Sequence, residues 1–330
     1  MGFEHIFSNF KNKKILVIGD IVLDRYIWGR VNRISPEAPV PIVEVTDEDF
    51  LLGGSANVAH NIVSLGGNAT VLGIVGRDRA GDALKRLLGE KGIDSCMFDD
   101  QRPTIVKTRV KAHNQQIVRF DREDKKKVSG KTFDALIGSV RRAVRDHDAI
   151  IISDYKKGVV SSELVAEVVK AARPKKKFIA VDPKTGHFHC YKNVSLITPN
   201  LMEASHGSGI EIKDEKSLVK AGRILLRKLP CKAVLITRGE EGMSLFDKNT
   251  VTHIPTVARH VYDVTGAGDT VIATFTLAYA SGASLKDAAI ISNHAAGIVV
   301  GEVGTAVTTP AKISRSITSS KKFSKHSAKL

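Results

Sequence analysis

Cysteine is scarce in this chain. Its three residues among 330, Cys96, Cys190 and Cys231, stand far apart and share no metal-binding or redox spacing. They read as reduced thiols of a cytosolic protein, which sets aside disulfide scaffolds and zinc ribbons. Aromatic residues make up only 5%, so the stacking platforms that hold single-stranded nucleic acid are few. No uninterrupted apolar run approaches the roughly 18–20 residues of a membrane span. The opening Met1-Gly2-Phe3-Glu4-His5 brings an acid early and no apolar signal core, so neither secretion nor membrane insertion is expected and the cytoplasm is the expected location. Acid is absent from residues 311–330, which hold Lys312, Arg315, Lys321, Lys322, Lys325 and Lys329. That stretch reads as a basic, disordered tail after a domain over residues 1–310.

The formal net charge is +15, from 50 basic and 35 acidic side chains. Without the six tail charges it is still +9, spread along the chain and not gathered in one stripe. Nucleic acid is therefore not the expected partner; a site for anionic small molecules on a solvated basic surface fits better.

Six short Val/Ile/Leu runs end in polar or glycine-containing turns: Ile15–Asp20, Thr70–Val75, Ala149–Asp154, Phe178–Asp182, Ser195–Thr198 and Ala233–Thr237. Runs of this length and purity suit strands buried on both faces of a parallel sheet. Amphipathic patterns over Ala80–Lys91, Phe133–Asp146, Ser162–Ala172 and Leu218–Leu229 lie between them. The alternation predicts a doubly wound, mostly parallel α/β sheet flanked by helices. Asp20, Asp154, Asp182, Asn200 and Arg238 fall at or just after strand ends, where such folds keep their ligand crevice. Two segments break the alternation. Residues 31–51 carry Pro36, Pro39 and Pro41 before a β-rich run, and residues 104–121 alternate polar with β-branched residues. Both read as strands of a small projecting sheet that acts as a lid; edge strands on the main sheet are the alternative.

The densest chemical signal is Asp263-Val-Thr-Gly-Ala-Gly-Asp-Thr270, followed by an apolar helical run. Gly266 and Gly268 let backbone N–H groups approach a phosphate, and the helix directs its positive end at the same point. Asp269, at the helix start, is placed to take a proton from a hydroxyl that attacks a γ-phosphate.

This octapeptide resembles the second signature of the pfkB/ribokinase family of carbohydrate kinases. Gly53-Gly-Ser-Ala-Asn57 resembles the first signature, Thr198-Pro-Asn-Leu-Met-Glu203 the family's Asn-x-x-Glu motif, and Thr237-Arg-Gly-Glu-Glu-Gly242 its nucleotide-side loop. The four arrive in family order over about residues 12 to 310. The resemblance implies a ribokinase-like fold with a β-sheet lid and ATP-dependent phosphorylation of a sugar. It implies Asp269 as base and Gly266, Ala267 and Gly268 as the anion hole. Asp24, Gly53, Gly54 and Asn57 match sugar-binding positions, and Asp154 is a further candidate there. Asn200, Thr237, Gly239, Gly242 and Asn293 match ATP-binding positions. Magnesium is expected on the phosphates, with Glu203 and Asp263 contributing through water. Some members also bind a monovalent cation such as K+ near the positions of Asp263 and Thr265. Lid strands of relatives pair into a clasped homodimer, so a dimer is expected.

Within that family, Gly19–Gly29, Arg33-Ile-Ser-Pro-Glu-Ala-Pro-Val-Pro41, Ser153-Asp-Tyr-Lys-Lys-Gly158 and Asp182-Pro-Lys184 resemble the kinases of bacterial ADP-heptose synthesis. Those enzymes phosphorylate D-glycero-D-manno-heptose 7-phosphate at O1, toward the lipopolysaccharide inner core. A substrate that already bears a phosphate calls for cations, and Arg109, Lys111, Lys156, Lys157 and Lys184 are the candidates. The alternative is another kinase of the family, acting on fructose phosphate, ribose or adenosine. Many heptose kinases are fused to a nucleotidyltransferase; no His-x-Gly-His motif of that domain occurs here.

Overall fold

The computed structural model describes residues 3–112, 115–124, 126–128, 130–258, 261–302 and 304–327. Strands β1 (Lys14–Gly19), β2 (Ile21–Ile34), β3 (Pro41–Gly54), β4 (Asn68–Gly76), β5 (Asp94–Asp100), β6 (Ile105–Ala112) and β7 (Gln115–Arg122) occupy the first third. They are followed by β8 (Ala149–Ser153), β9 (Phe178–Asp182), β10 (Leu196–Ile197), β11 (Ala233–Thr237), β12 (Met243–Asp247) and β13 (Val251–Ile254). Helices α1 (Glu4–Asn9), α2 (Ser55–Ser64), α3 (Arg79–Glu90), α4 (Gly130–Asp146) and α5 (Ser162–Ala172) precede the midpoint of the large sheet's second half. The remaining helices are α6 (Leu201–Ser208), α7 (Glu215–Lys228), α8 (Ala267–Ala280), α9 (Leu285–Val299) and α10 (Pro310–Ser327).

Nine strands form the large sheet in the order β13-β12-β11-β10-β9-β8-β1-β4-β5. From β11 to β5 neighbours run parallel, and β12 and β13 add an antiparallel edge. Side-chain alternation sorts the core into two layers. Ile15, Val17, Val71 and Ile151 pack with α2, α8 and α9 on one face. Leu16, Ile18, Leu72, Ile150 and Ile152 pack with α4, α5 and α7 on the other. All six expected strands are present. β5, β12 and β13 went unread because edge strands mix polar residues into short runs.

The lid is a separate four-stranded sheet, β3-β2-β6-β7, not an extension of the main one. Its strand β2 starts at Ile21, ten residues before the expected segment, so Asp24 lies on a strand. Pro36 and Pro39 fall in the turn between β2 and β3, and Pro41 opens β3.

The expectation of a disordered stretch from residue 311 is corrected. Pro310 starts helix α10, a position that suits a residue without an N–H. Ile313 and Ile317, one helical turn apart, are buried in the layer that holds α8 and α9, and His294 hydrogen-bonds Ser316 Oγ at 2.8 Å. Lys329 lies outside the described residues. Among those residues, no helix is long and apolar enough to cross a membrane.

Candidate active site

Helix α8 follows Gly266, whose φ of 82° is left-handed. A Cβ there would stand 2.9 Å from Asn57 Nδ2, so backbone and neighbour both demand glycine. No side chain caps α8, whereas Asp78, Ser161, Asn200, Asp214 and Ser284 cap α3, α5, α6, α7 and α9. Ala267 N–H donates to Val264 O at 3.2 Å and Thr270 N–H to Gly266 O at 3.0 Å, so among the described residues the N–H groups of Gly268 and Asp269 are the ones left for an anion. Around the position of a Cβ on Gly268, no protein atom comes within 4 Å, which leaves that side of the turn open to a phosphate.

Asp269 sits in this first turn and is 4% exposed. Asn57 Nδ2 donates to its Oδ2 at 2.7 Å, and the Tyr155 hydroxyl donates to its Oδ1 at 2.9 Å. Burial pushes the carboxyl up to about 6, although the two hydrogen bonds pull it down and the Asp24 charge pushes it up further. At neutral pH the group is ionised and close to the range of an effective general base. Asn57 was expected on the sugar; its amide is instead committed to the base, and the residue is fully buried.

The loop that brings Tyr155 here hangs on Asp20. Its Oδ2 accepts the N–H groups of Tyr155 and Lys157 at 3.0 Å each, and its Oδ1 accepts that of Val159 at 3.2 Å. Asp154 was expected to reach a sugar hydroxyl, and its oxygens already have protein donors. Its Oδ2 accepts from Tyr191 at 2.6 Å and His187 at 2.8 Å, and its Oδ1 from Lys156 N at 2.7 Å. Lys156, Lys157 and Lys184 line a cavity of about 760 Å³ with Tyr155, His187 and His189. The two histidines, expected as plain loop residues, thus edge a basic hollow.

Asp24, on β2, is buried and paired with Arg109 on β6, Nη1 to Oδ1 at 2.5 Å. The two glycines of the first signature are demanded by this arrangement. A Cβ on Gly53 would sit 2.4 Å from Asp24 Oδ2, and one on Gly54, at φ 58°, 2.4 Å from Asp20 O. Their role in the structure is to admit these two aspartates. The register pairs Asp24, Tyr26 and Trp28 with Lys107, Arg109 and Lys111, so one lid face carries three cations. Two of them reach the main domain, Lys107 with Nζ 4.6 Å from the Tyr155 ring centroid and Lys111 with Nζ 3.3 Å from Asp263 Oδ2, while Arg109 holds Asp24 within the lid. Lys107 and Tyr155 were not among the sequence candidates.

Asp263 accepts the N–H groups of Thr265 at 2.9 Å and Gly304 at 3.2 Å. Burial raises its carboxyl, but these donors and Lys111 outweigh that and hold it below the usual range. Glu203 belongs to a different group. Its Oε2 accepts Asn200 N at 3.1 Å, and its Oε1 lies 3.4 Å from Lys184 Nζ. The two residues expected to serve magnesium thus have different protein partners, Asn200 and Lys184 for Glu203 and Thr265, Gly304 and Lys111 for Asp263. Asp182, beside Glu203, is pushed well above the ordinary range by burial and then by the charges of Asp269 and Glu203. Among the described residues no cluster of three or more His, Cys, Asp or Glu is close enough to cage a metal. The donor set fits magnesium that arrives on nucleotide phosphates, not a dedicated protein cage.

Thr237, Gly239, Gly242 and Asn293 come together along a cavity of about 430 Å³ that reaches Ala267 and Gly268. Val261 and Val264 line the same cavity and are 60% and 68% exposed, an apolar slot of the kind a nucleobase covers. Asn200 is not on this lining. Its side-chain oxygen caps α6 by accepting Glu203 N at 2.8 Å.

The pfkB family carbohydrate kinase pattern matches residues 12–312. The chain belongs to that family. It is an ATP-dependent carbohydrate kinase with a ribokinase-like fold. It is 48% identical over 313 residues to the bifunctional protein HldE of Geobacter metallireducens, covering 94% of this chain and 64% of that one. The protein of the same name from Helicobacter hepaticus is 45% identical over 305 residues, with 92% and 63% covered. The chain thus spans under two thirds of these relatives' length. Phosphofructokinase-2 of Escherichia coli, solved with substrates and products, superposes with a TM-score of 0.77 at 21% identity, covering 92% of this chain and 97% of the other. Ribokinase of Arabidopsis thaliana with ribose and ATP gives 0.74 at 19%, with 92% and 98% covered. Both show the shared fold.

Proposed function

We propose that this kinase transfers the γ-phosphoryl group of ATP to O1 of D-glycero-D-manno-heptose 7-phosphate, giving the 1,7-bisphosphate used in ADP-heptose and lipopolysaccharide synthesis in the cytoplasm. The observation that carries the proposal is the lid face bearing Lys107, Arg109 and Lys111, which meets Tyr155 and Asp263 beside the start of α8 where Asp269 stands. Such a face suits a sugar that already carries a phosphate and gives nothing to a neutral one. The resemblance of Arg33–Pro41 to heptose kinases and the likeness to HldE proteins point the same way.

In this reading Asp269 takes the proton of the anomeric hydroxyl as its oxygen bonds to phosphorus and the bond to the ADP oxygen breaks. The N–H groups at the start of α8 receive the charge on the transferring phosphoryl oxygens. Asp24, held by Arg109, orients sugar hydroxyls, and the slot beside Thr237 and Asn293 holds the base of ATP. Bound magnesium neutralises phosphate charge. A monovalent cation such as K+ at the Asp263–Gly268 loop completes the proposal; phosphofructokinase-2 of Escherichia coli has been solved in complex with potassium.

An ADP-release assay with Mg-ATP compares the heptose 7-phosphate with fructose 6-phosphate, ribose and adenosine, in K+ and in a larger organic cation. Heptose 7-phosphate is expected to give kcat/KM at least about 100-fold above each alternative. Preference for another sugar would keep the kinase and overturn the substrate.

We also propose a homodimer through the lid. Phe50, Val118 and Phe120 are exposed on the lid face opposite the cations, an apolar surface that a second copy would cover. Light scattering is expected to give twice the chain mass for the parent and a monomer for Phe120→Glu. A monomeric parent would end this reading.

A further inference from the structure

We infer that Tyr155 is a positioning residue for the base and that Lys107 couples the lid to it, so that lid placement and base orientation are joined through one aromatic side chain. This inference rests on the reading of Asp269 as the base. The Asp269 carboxylate is held by donors from two unrelated places, Asn57 on α2 and Tyr155 on the loop after β8. One donor on each oxygen fixes the carboxylate plane, and a carboxylate has about four acceptor sites, so room remains for a substrate hydroxyl. Tyr155 is itself fixed at both ends, since its N–H donates to Asp20 Oδ2 at 3.0 Å. Burial first, and then the Asp269 charge, drive its phenol well above the ordinary range. It therefore stays a donor and does not compete with Asp269 for the sugar's proton.

Lys107 supplies the second half. Its ammonium is half-buried and makes no hydrogen bond or ion pair with any described residue; its neighbour is the face of the Tyr155 ring, 4.6 Å from the centroid. Its charge acts through space on Asp24, Asp121 and Asp269, and at contact the partly desolvated cation draws on the ring's negative face. Because Lys107 belongs to the lid sheet and Tyr155 to the main domain, this contact exists only while the lid lies over the site. Lifting the lid would free the ring and loosen one of the two donors on Asp269.

Tyr155→Phe keeps the ring and deletes only the donor. In the full chain, kcat at pH 7 is expected to fall about tenfold, with KM for ATP within about twofold of the parent. The acid limb of kcat/KM is expected to move up by about one pH unit, because a hydrogen bond that favours the charged carboxylate is lost. Lys107→Met is expected to move the limb in the same direction by two routes, the loss of its own charge near Asp269 and the loss of its hold on Tyr155. Only the second is absent in the Tyr155→Phe background, so the shift there is expected to be smaller than alone. Equal shifts in both backgrounds would leave Lys107 acting by charge only and overturn the coupling. Parent-like kcat and pH profile in Tyr155→Phe would overturn the inference. Should that variant not fold, an unmoved acid limb in Lys107→Met would overturn it instead. The base assignment fails separately: Asp269→Asn with full activity sinks that reading, whereas an inactive Asp269→Asn beside an unaltered Tyr155→Phe sinks only this one.

Discussion

Asp269→Asn is expected to lower kcat/KM for the sugar by about 10³-fold, the contribution of a well-placed general base. The replacement keeps the shape of the side chain and its acceptor toward Tyr155, so binding and folding survive while the proton acceptor is lost. The amide also sets a donor against Asn57 Nδ2, which sits 2.7 Å from Oδ2 in the parent, and this adds a smaller positional cost. The pH profile separates the two effects. A base that burial holds at about 6 must be ionised to act, so parental kcat/KM is full above that value and declines as pH falls through it. The residual rate of the variant should show no such limb. A variant that keeps activity within about tenfold of the parent, or a parent whose rate is flat from pH 5 to 8, would remove Asp269 from the role.

Much of this site was legible because its parts are local. The octapeptide Asp263–Thr270 places a glycine turn, an uncapped helix start and an acid within one segment, and each has a physical meaning by itself. The central strands were legible for a similar reason: strands such as Ala149–Ser153, buried on both faces, leave no room for polar residues. What the chain brings together from afar was not legible. Asn57 and Asp269 are 212 residues apart, and Tyr155 and Asp269 are 114 apart. Nothing in the run Ser153–Gly158 marks its tyrosine as a partner of the base. Lys107 was not singled out in the sequence, and only the register sets it over Tyr155. For Asp154 and Asn200 the sequence left the fastening role unread, since a polar residue at a strand end serves equally well as a ligand contact or as a fastener for the adjoining loop. The helix at Pro310–Ser327 was hidden by its Ser/Lys composition, which left only Ile313 and Ile317 to mark a packed face.

The pair between Asp24 and Arg109 joins stability to substrate binding, and Arg109→Met is expected to cost on both. The side chains are 6% and 11% exposed, so losing the guanidinium leaves a carboxylate buried without its partner. Breaking such a pair from one side costs about 3 kcal/mol or more, which denaturant unfolding would read directly. Asp24 is wedged under Gly53, where even a Cβ would come within 2.4 Å of its Oδ2, so it cannot turn away to solvent. Adding Asp24→Asn to Arg109→Met removes the orphaned charge and is expected to recover about 2 kcal/mol of the loss. Activity should follow the other course, because the double variant lacks both the sugar-facing carboxylate and a lid cation. Its kcat/KM is expected to stay down by about 100-fold while its unfolding midpoint approaches the parent's. If stability and activity returned together, the pair would be a fold fastener with no part in recognition. If neither single nor double variant lost stability, the carboxylate would have to be reached by water, and its burial beneath the lid would not describe the protein in solution.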